Sequence, residues 1–369
     1  KFMKYFSTLV FILLFLGCKN SSVKSIKETN FYVGTYTQKE SKGIYKYSIS
    51  KDGKLKNIGL AATIINPSFL AKSKDQKNLF AISEVNENET GYIYSYEIKN
   101  DSLQMVNKQE SGGAHPCFIA VNKDNYIITA NYTGGNIGFL KATKTGEIAP
   151  ISFVQQHIGK GSTERQTAPH AHSTWFHPTK NEVISIDLGT NELWFSTIDK
   201  TKNELVYTTQ KKLKMKDGAG PRHLTFHPNN KWMYILNELN NTVSLVKEKN
   251  NAYFITASIT TLPAGFSTDS KAADIHISKD GKFLYTSNRG ADSIAIFKVN
   301  TTNGTLTSIG YAPVLGANPR NFSLSPDEEF LLVANQDTNN IISFKRNPSS
   351  GALTFVDKIF APTPVCILF

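Results

Sequence analysis

Six stretches of this chain repeat one pattern in different residues. They are PSFLAKSKDQKNLFAISEV from Pro67, PCFIAVNKDNYIITANYT from Pro116 and PHAHSTWFHPTKNEVISIDLG from Pro169. The other three are PRHLTFHPNNKWMYILNEL from Pro221, AADIHISKDGKFLYTSNRG from Ala272 and PRNFSLSPDEEFLLVANQD from Pro319. Each is a short alternating strand, a polar turn (SKDQ, NKDN, HPTK, HPNN, SKDG, SPDE) and a second apolar strand closing near a small polar residue such as Asn131, Asp187 or Asn237. Turn residues between runs of period two are the signature of a β-hairpin. Each unit continues into a third strand, such as SIAIFKV, and often a fourth, and starts recur every 45 to 53 residues. Four strands at that period make one blade of a β-propeller.

A seventh unit is divided between the ends of the chain. TPVCILF at the C-terminus matches a first strand, and NFYVGTYTQKESKGIYKYSIS near the N-terminus matches a second and third. The expected fold is therefore all-β: a seven-bladed β-propeller whose terminal strands share one blade and close the ring, leaving no open solenoid edge. The propeller domain is predicted over residues 30–369. Ahead of it, Lys1 and Lys4 precede an apolar core from Tyr5 to Leu16 and then Gly17-Cys18. Twelve apolar residues are too few to cross a bilayer and fit the core of an export signal. LFLGC resembles a bacterial lipobox, so residues 1–18 are predicted to be a signal peptide with Cys18 lipidated, and 19–29 a polar tether.

The net charge is +11, but no basic run exceeds two residues, and a nucleic-acid surface would gather them into a stripe. The charge points to anionic partners, with no nucleic acid among them and membrane contact only through the lipid anchor. Beyond Cys18 only Cys117 and Cys366 remain, too far apart in sequence for a disulfide framework and each in an apolar strand. A monomer is expected.

The repeat also locates a site. A blade's first strand lines the central channel, and its start lies beside the end of the antiparallel second strand. The residues after the repeat proline read Ser68, Cys117, His170, Arg222, Asp274, Arg320 and Val365; those after the second-strand polar residue read Tyr36, Glu84, Tyr132, Leu188, Glu238, Arg289 and Gln336. His115 precedes a repeat proline, and His172, His223 and His276 lie just inside first strands. Charges in a half-buried funnel are costly unless paired or used. Forked guanidinium groups suit a carboxylate or phosphate, and Glu238 with His170 or His172 can share proton transfer. The alternative is a ring of mutual salt bridges tying blades together. A metal is not predicted: His170 and His172 share a strand face, but Arg222 and Arg320 would repel a dication. His177 aligns with His227 and reads as a turn residue.

PHAHS, GPRHLTFHP, YILNEL, SKDGKFLYTSNRGADSIAIF and NPRNFSLSPDEEFLLVANQDTNNI together resemble the lactonase family of seven-bladed propellers, which includes propeller-type 6-phosphogluconolactonases and is similar to carboxymuconate-lactonising enzymes. The resemblance covers essentially all of 30–369. It implies lactone hydrolysis or formation without a metal or other cofactor. It places the family's histidine on His170 or His172, its arginine on Arg222, its glutamate on Glu238 and a second arginine on Arg289. The expected function is hydrolysis of an anionic sugar-acid lactone at the channel mouth. Glu238, His170, His172 and Arg222 would be catalytic, and Arg289, Arg320, His115, His223, Glu84, Asp274 and His276 would bind substrate. The competing readings are a muconate-type cycloisomerase and a non-catalytic envelope binding propeller. Export sits awkwardly with 6-phosphogluconolactone, a cytoplasmic intermediate, so the lactone itself stays open.

Overall fold

The computed structural model describes residues 28–99 and 102–369. The signal segment, Cys18 and all of the tether except its last two residues lie outside the described residues. Twenty-eight strands, numbered β1–β28 in chain order, form seven four-stranded sheets. The only helical element among the described residues is a 3-10 turn at Glu164–Gln166. Six sheets are sequential quartets: β4–β7, β8–β11, β12–β15, β16–β19, β20–β23 and β24–β27. The seventh has the order β28-β1-β2-β3, joining Pro364–Leu368 to Thr29–Thr35. The predicted closure is observed, with the propeller beginning at Thr29 rather than residue 30. Tyr32 pairs with Leu368 and Val33 with Ile367. Gly34 must lack a side chain there, since a Cβ would stand 2.2 Å from the Pro67 carbonyl oxygen.

Burial follows position within the blade. Second strands such as β9 (Tyr126–Asn131), β17 (Trp232–Asn237) and β25 (Phe330–Asn335) are buried throughout, because blades pack against both of their faces. Outermost strands such as β7 (Ser102–Glu110) alternate between half-buried and exposed residues. Seven apolar clusters fill the seven gaps between neighbouring blades. One joins the split blade to the first through Tyr32, Leu70 and Cys366, and another joins the sixth to the split blade through Phe31, Leu332 and Ile367. Burying each such side chain contributes roughly 1.5–3 kcal/mol, so the ring is closed by packing as much as by the β1–β28 ladder.

A β-bulge shapes the channel. In β16 (Pro221–Phe226), Pro221 pairs with Asn237 and His223 with Leu236, which leaves Arg222 out of register. The same slip occurs in β8 (Pro116–Val121), β12 (Ala171–Phe176) and β24 (Pro319–Leu324), where it frees Cys117, His172 and Arg320. A bulge adds one residue to a strand and re-aims its side chain. Here it aims one residue per blade at the channel mouth.

Candidate active site

Each blade builds the mouth with the same corner. The residue before the repeat proline takes a left-handed conformation in five blades: Asn66, His115, Gly220, Asn318 and Thr363. Its carbonyl oxygen accepts the backbone N–H of the ring residue on the second strand, as Gly220 does from Glu238 at 2.7 Å and His115 from Tyr132 at 2.9 Å. This corner corrects the sequence alignment in two places. His170 is a corner residue, because its carbonyl accepts the Leu188 N–H at 3.0 Å, and the residue sharing Arg222's bulge position is His172. Asp274 does not occupy that position either. Ala273 does, and Asp274 aligns with His223 one step deeper. In both blades the bulge breaks the period of two on which the alignment depended.

Glu238 organises the charged side of the mouth. It is 3% exposed, and its carboxylate receives Arg222 at 2.8 Å, Arg289 at 2.9 Å and, from the rim, Arg165 at 3.7 Å. Burial alone would raise its pKa, but Arg289, Arg222 and Arg165 outweigh burial and hold it at about 2. A carboxylate so stabilised is a weak base. The expected role of Glu238 in activating water is therefore revised: its geometry is that of an anchor that holds three guanidinium groups together.

The two histidines of the H-x-H pair are in different states. His172 is 4% exposed, and its Nε2 accepts a hydrogen bond from Arg222, which always carries its protons. Burial first, then the charge of Arg222, keeps its pKa well below the ordinary histidine range, so it is neutral with its lone pair taken. His170 lies half-buried at the rim. Its Nδ1–H donates to the Tyr132 carbonyl at 3.0 Å, its backbone N–H donates to Asp187 at 2.8 Å, and its ring stacks on Tyr132 at 4.5 Å. That tautomer leaves the Nε2 lone pair without a protein partner among the described residues. Behind it, Asp187 accepts from His157 Nδ1 at 2.7 Å, and His157 stacks on Trp194. Gly189 admits this corner, since a Cβ there would lie 1.9 Å from the Ala168 carbonyl oxygen.

Across the mouth, Arg320 packs over the Tyr36 ring at 5.3 Å, and no carboxylate or carbonyl accepts from its guanidinium among the described residues. Glu84 is held beside it by Tyr36 Oη at 2.9 Å and by the Ser68 hydroxyl. Below, the channel pinches to a void of about 10 Å³ lined by Arg222, Arg320, Cys117 and the rings of Phe69 and His223, room for one water at most. A substrate-sized ligand does not fit in that void.

Three of the expected binding residues fall beneath that floor. His223 bonds Asp274 at 2.9 Å, Asp274 bonds His276 Nε2 at 3.1 Å, and Asn321 donates to Asp274 at 2.6 Å. Burial would raise Asp274, but His276 and His223 hold it well below the carboxylate range. Burial lowers His223, while Asp274 overcomes burial and raises His276, so Asp274 is a buried carboxylate held between two histidines. It ties the fourth, fifth and sixth blades beneath the site. His115 remains on the rim, with Nδ1 engaged by the Thr133 hydroxyl at 2.8 Å. His177 is a turn residue, its Nδ1 accepting the backbone N–H groups of Thr179 and Lys180 at 3.2 Å. Cys117 and Cys366 are free and buried.

Sequence reasoning missed Arg165, which lies in the 3-10 turn between the second and third blades, outside every repeat. It bonds Tyr132 Oη at 3.0 Å and closes the chain Glu238–Arg165–Tyr132–His170. The signal was available: it is the only arginine in an interblade connection otherwise rich in glycine and polar residues.

Comparison with known proteins agrees with the seven-bladed fold. The family model described as Lactonase, 7-bladed beta-propeller matches residues 30–369. A 6-phosphogluconolactonase of Bacillus subtilis is 34% identical over 298 residues, 79% of this chain and 83% of that protein. One from Formosa agariphila is 36% identical over 309 residues, 79% and 85% of the two chains. The structure of a Pseudomonas aeruginosa periplasmic gluconolactonase superposes with a TM-score of 0.88 at 28% identity, covering 92% of this chain and 98% of the other.

Proposed function

From the premise that this chain belongs to the seven-bladed β-propeller lactonase family, we propose that it hydrolyses a sugar-acid lactone at the channel mouth. The observation that carries the reading is that, among the described residues, neither the guanidinium of Arg320 nor the Nε2 lone pair of His170 has a protein hydrogen-bond partner. Arg222 and Arg289 are held in one geometry by Glu238, and such preorganised donors stabilise the oxyanion that develops when a lactone carbonyl is attacked. His170 Nε2 takes a proton from the attacking water, and the resulting imidazolium returns it to the ring oxygen as the C–O bond breaks. The product is the open hydroxy acid, so one water is consumed and no net proton is held. Arg320 and Arg165 bind the acidic or hydroxyl-rich end of the substrate.

The relatives' names suggest two substrates, 6-phosphogluconolactone and gluconolactone. Export of this chain, with lipid attachment at Cys18, favours the unphosphorylated sugar lactone, in keeping with the periplasmic location named for the Pseudomonas protein. The reading is tested by following acid release from both lactones at constant pH. The protein should exceed the spontaneous rate on at least one, and Arg320→Met should raise KM with little change in kcat. Turnover of neither lactone, with only ligand-induced thermal stabilisation, would point instead to a binding propeller.

A further inference from the structure

The lysines that look scattered in sequence are gathered by the fold. The turns between first and second strands, and between third and fourth strands, all lie at the end of the propeller opposite the mouth. The inner turns of the first five sequential blades present Lys74, Lys123, Lys180, Lys231 and Lys279, each exposed. The outer turns add exposed Lys51, Lys144, Lys202 and Lys249. Several carboxylates in these turns are engaged locally as caps while staying exposed. Asp75 accepts from the Ser73 hydroxyl at 2.7 Å and the Lys77 N–H at 3.2 Å, and Asp280 accepts from the Ser278 hydroxyl at 2.6 Å and the Lys282 N–H at 3.0 Å. The lysines project from the same turns into solvent. One inner turn is acidic, Asp327 to Glu329, and it is answered locally by Arg346 at 3.4 Å from Glu328 and Lys345 at 2.5 Å from Glu329. The mouth end lacks this excess: one of its loops carries Glu84, Glu87 and Glu89 with no basic residue between them.

Two features turn this asymmetry into a surface with a partner. A groove of about 510 Å³ opens on the basic end, lined by Lys74, Lys123, Lys180 and Lys200 against two carboxylates, Glu182 and Asp124, the latter shared between Lys123 at 3.1 Å and Lys200 at 2.9 Å. The chain also enters the propeller here. Thr29 pairs with Ile49, immediately before the outer turn that carries Lys51, so the N-terminal residues join the basic end and not the mouth. We propose that this end docks on an anionic lipid surface, leaving the mouth facing away from the bilayer and open to substrate. The charge is carried by ammonium groups on flexible stems, some of them in exposed pairs such as Lys180 with Glu248 and Lys202 with Glu204, and these attract a phosphate-rich surface without reading bases or matching a folded partner's forks. Lysines near such a surface each strengthen binding about fivefold, within a Debye length of roughly 8 Å. The inference rests on the charge distribution and on where β1 starts, and does not depend on the hydrolytic reading.

The test is sedimentation of the full chain with vesicles of phosphatidylcholine alone or with about 30% phosphatidylglycerol, beside a Lys74→Glu, Lys123→Glu, Lys180→Glu, Lys279→Glu variant. Binding to neutral vesicles sets the contribution of the apolar N-terminal segment. For the wild type, the anionic lipid should add at least about a tenfold gain, which high salt removes. The variant should lose that gain while melting as the wild type does. Lactone hydrolysis in solution reports separately on the mouth. No gain from anionic lipid, a gain kept by the folded variant, or equal salt-sensitive binding to duplex DNA would each overturn the proposal. Should the variant not fold, the lipid and salt dependence of the wild type still decides.

Discussion

Replacing Glu238 by glutamine keeps the side chain's shape and removes its charge. In the wild type the carboxylate is buried and its pKa falls from 4.5 to about 2. At about 1.4 kcal/mol per pH unit, that difference is on the order of 3 kcal/mol of stabilisation at neutral pH. A depressed carboxylate pKa gives stability that is fully present above about pH 4.5 and is lost as pH falls toward 2. The glutamine cannot lose it, because it never had it. It also leaves Arg222 and Arg289 facing one another without their anion, and removing one partner of a buried ion pair costs about 3–5 kcal/mol. Glu238→Gln should therefore unfold at a lower urea concentration at pH 7, by about 3 kcal/mol or more, and the gap to wild type should narrow at pH 3. Urea melts at the two pH values read both effects. A variant as stable as wild type at pH 7, or a gap that does not change with pH, would refute the anchoring role.

Arg320→Met should raise KM for an acidic lactone by about ten- to a hundredfold, the worth of one charge-assisted contact, and should change KM for a neutral lactone far less; initial rates over a substrate series decide. Tyr132→Phe removes the hydroxyl that accepts from Arg165 and should lower kcat/KM by about tenfold or less, leaving the urea midpoint near wild type. Asp274→Asn should lower stability by about 1.5–3 kcal/mol, measured by urea melts, because His223, His276 and Asn321 lose a charged, buried acceptor. Its effect on KM should be small, since the cluster lies below the floor of the mouth.

The sequence shows the blades plainly, for a reason visible in β9 and β17. A strand buried on both faces must be apolar throughout, and the turn before it must be polar, so the hairpin repeats even where no residue is shared. The split blade was legible because TPVCILF keeps the first-strand pattern in β28. The mouth was legible only to within one or two residues. His172 and Ala273 hold the places assigned to His170 and Asp274, because those first strands carry a bulge, Pro169 stands two residues ahead of the place Pro221 holds in its blade, and the fifth blade has no repeat proline. Arg165 belongs to no repeat, so nothing periodic points to it. The state of each group was not legible at all. Glu238 reads as a base until three guanidinium groups are seen around it, and the lysines read as scattered until the propeller brings nine of them to the turns at one end.

The most direct test is the rate of lactone hydrolysis by wild type and His170→Gln, on 6-phosphogluconolactone and gluconolactone. The account predicts a rate well above the spontaneous one on at least one substrate. It predicts a loss of about a hundredfold or more in kcat for the folded variant. A folded His170→Gln protein that turns over as fast as wild type would contradict the assignment of proton transfer to this residue. A wild type no faster than water would contradict the reading of the mouth as a hydrolytic site.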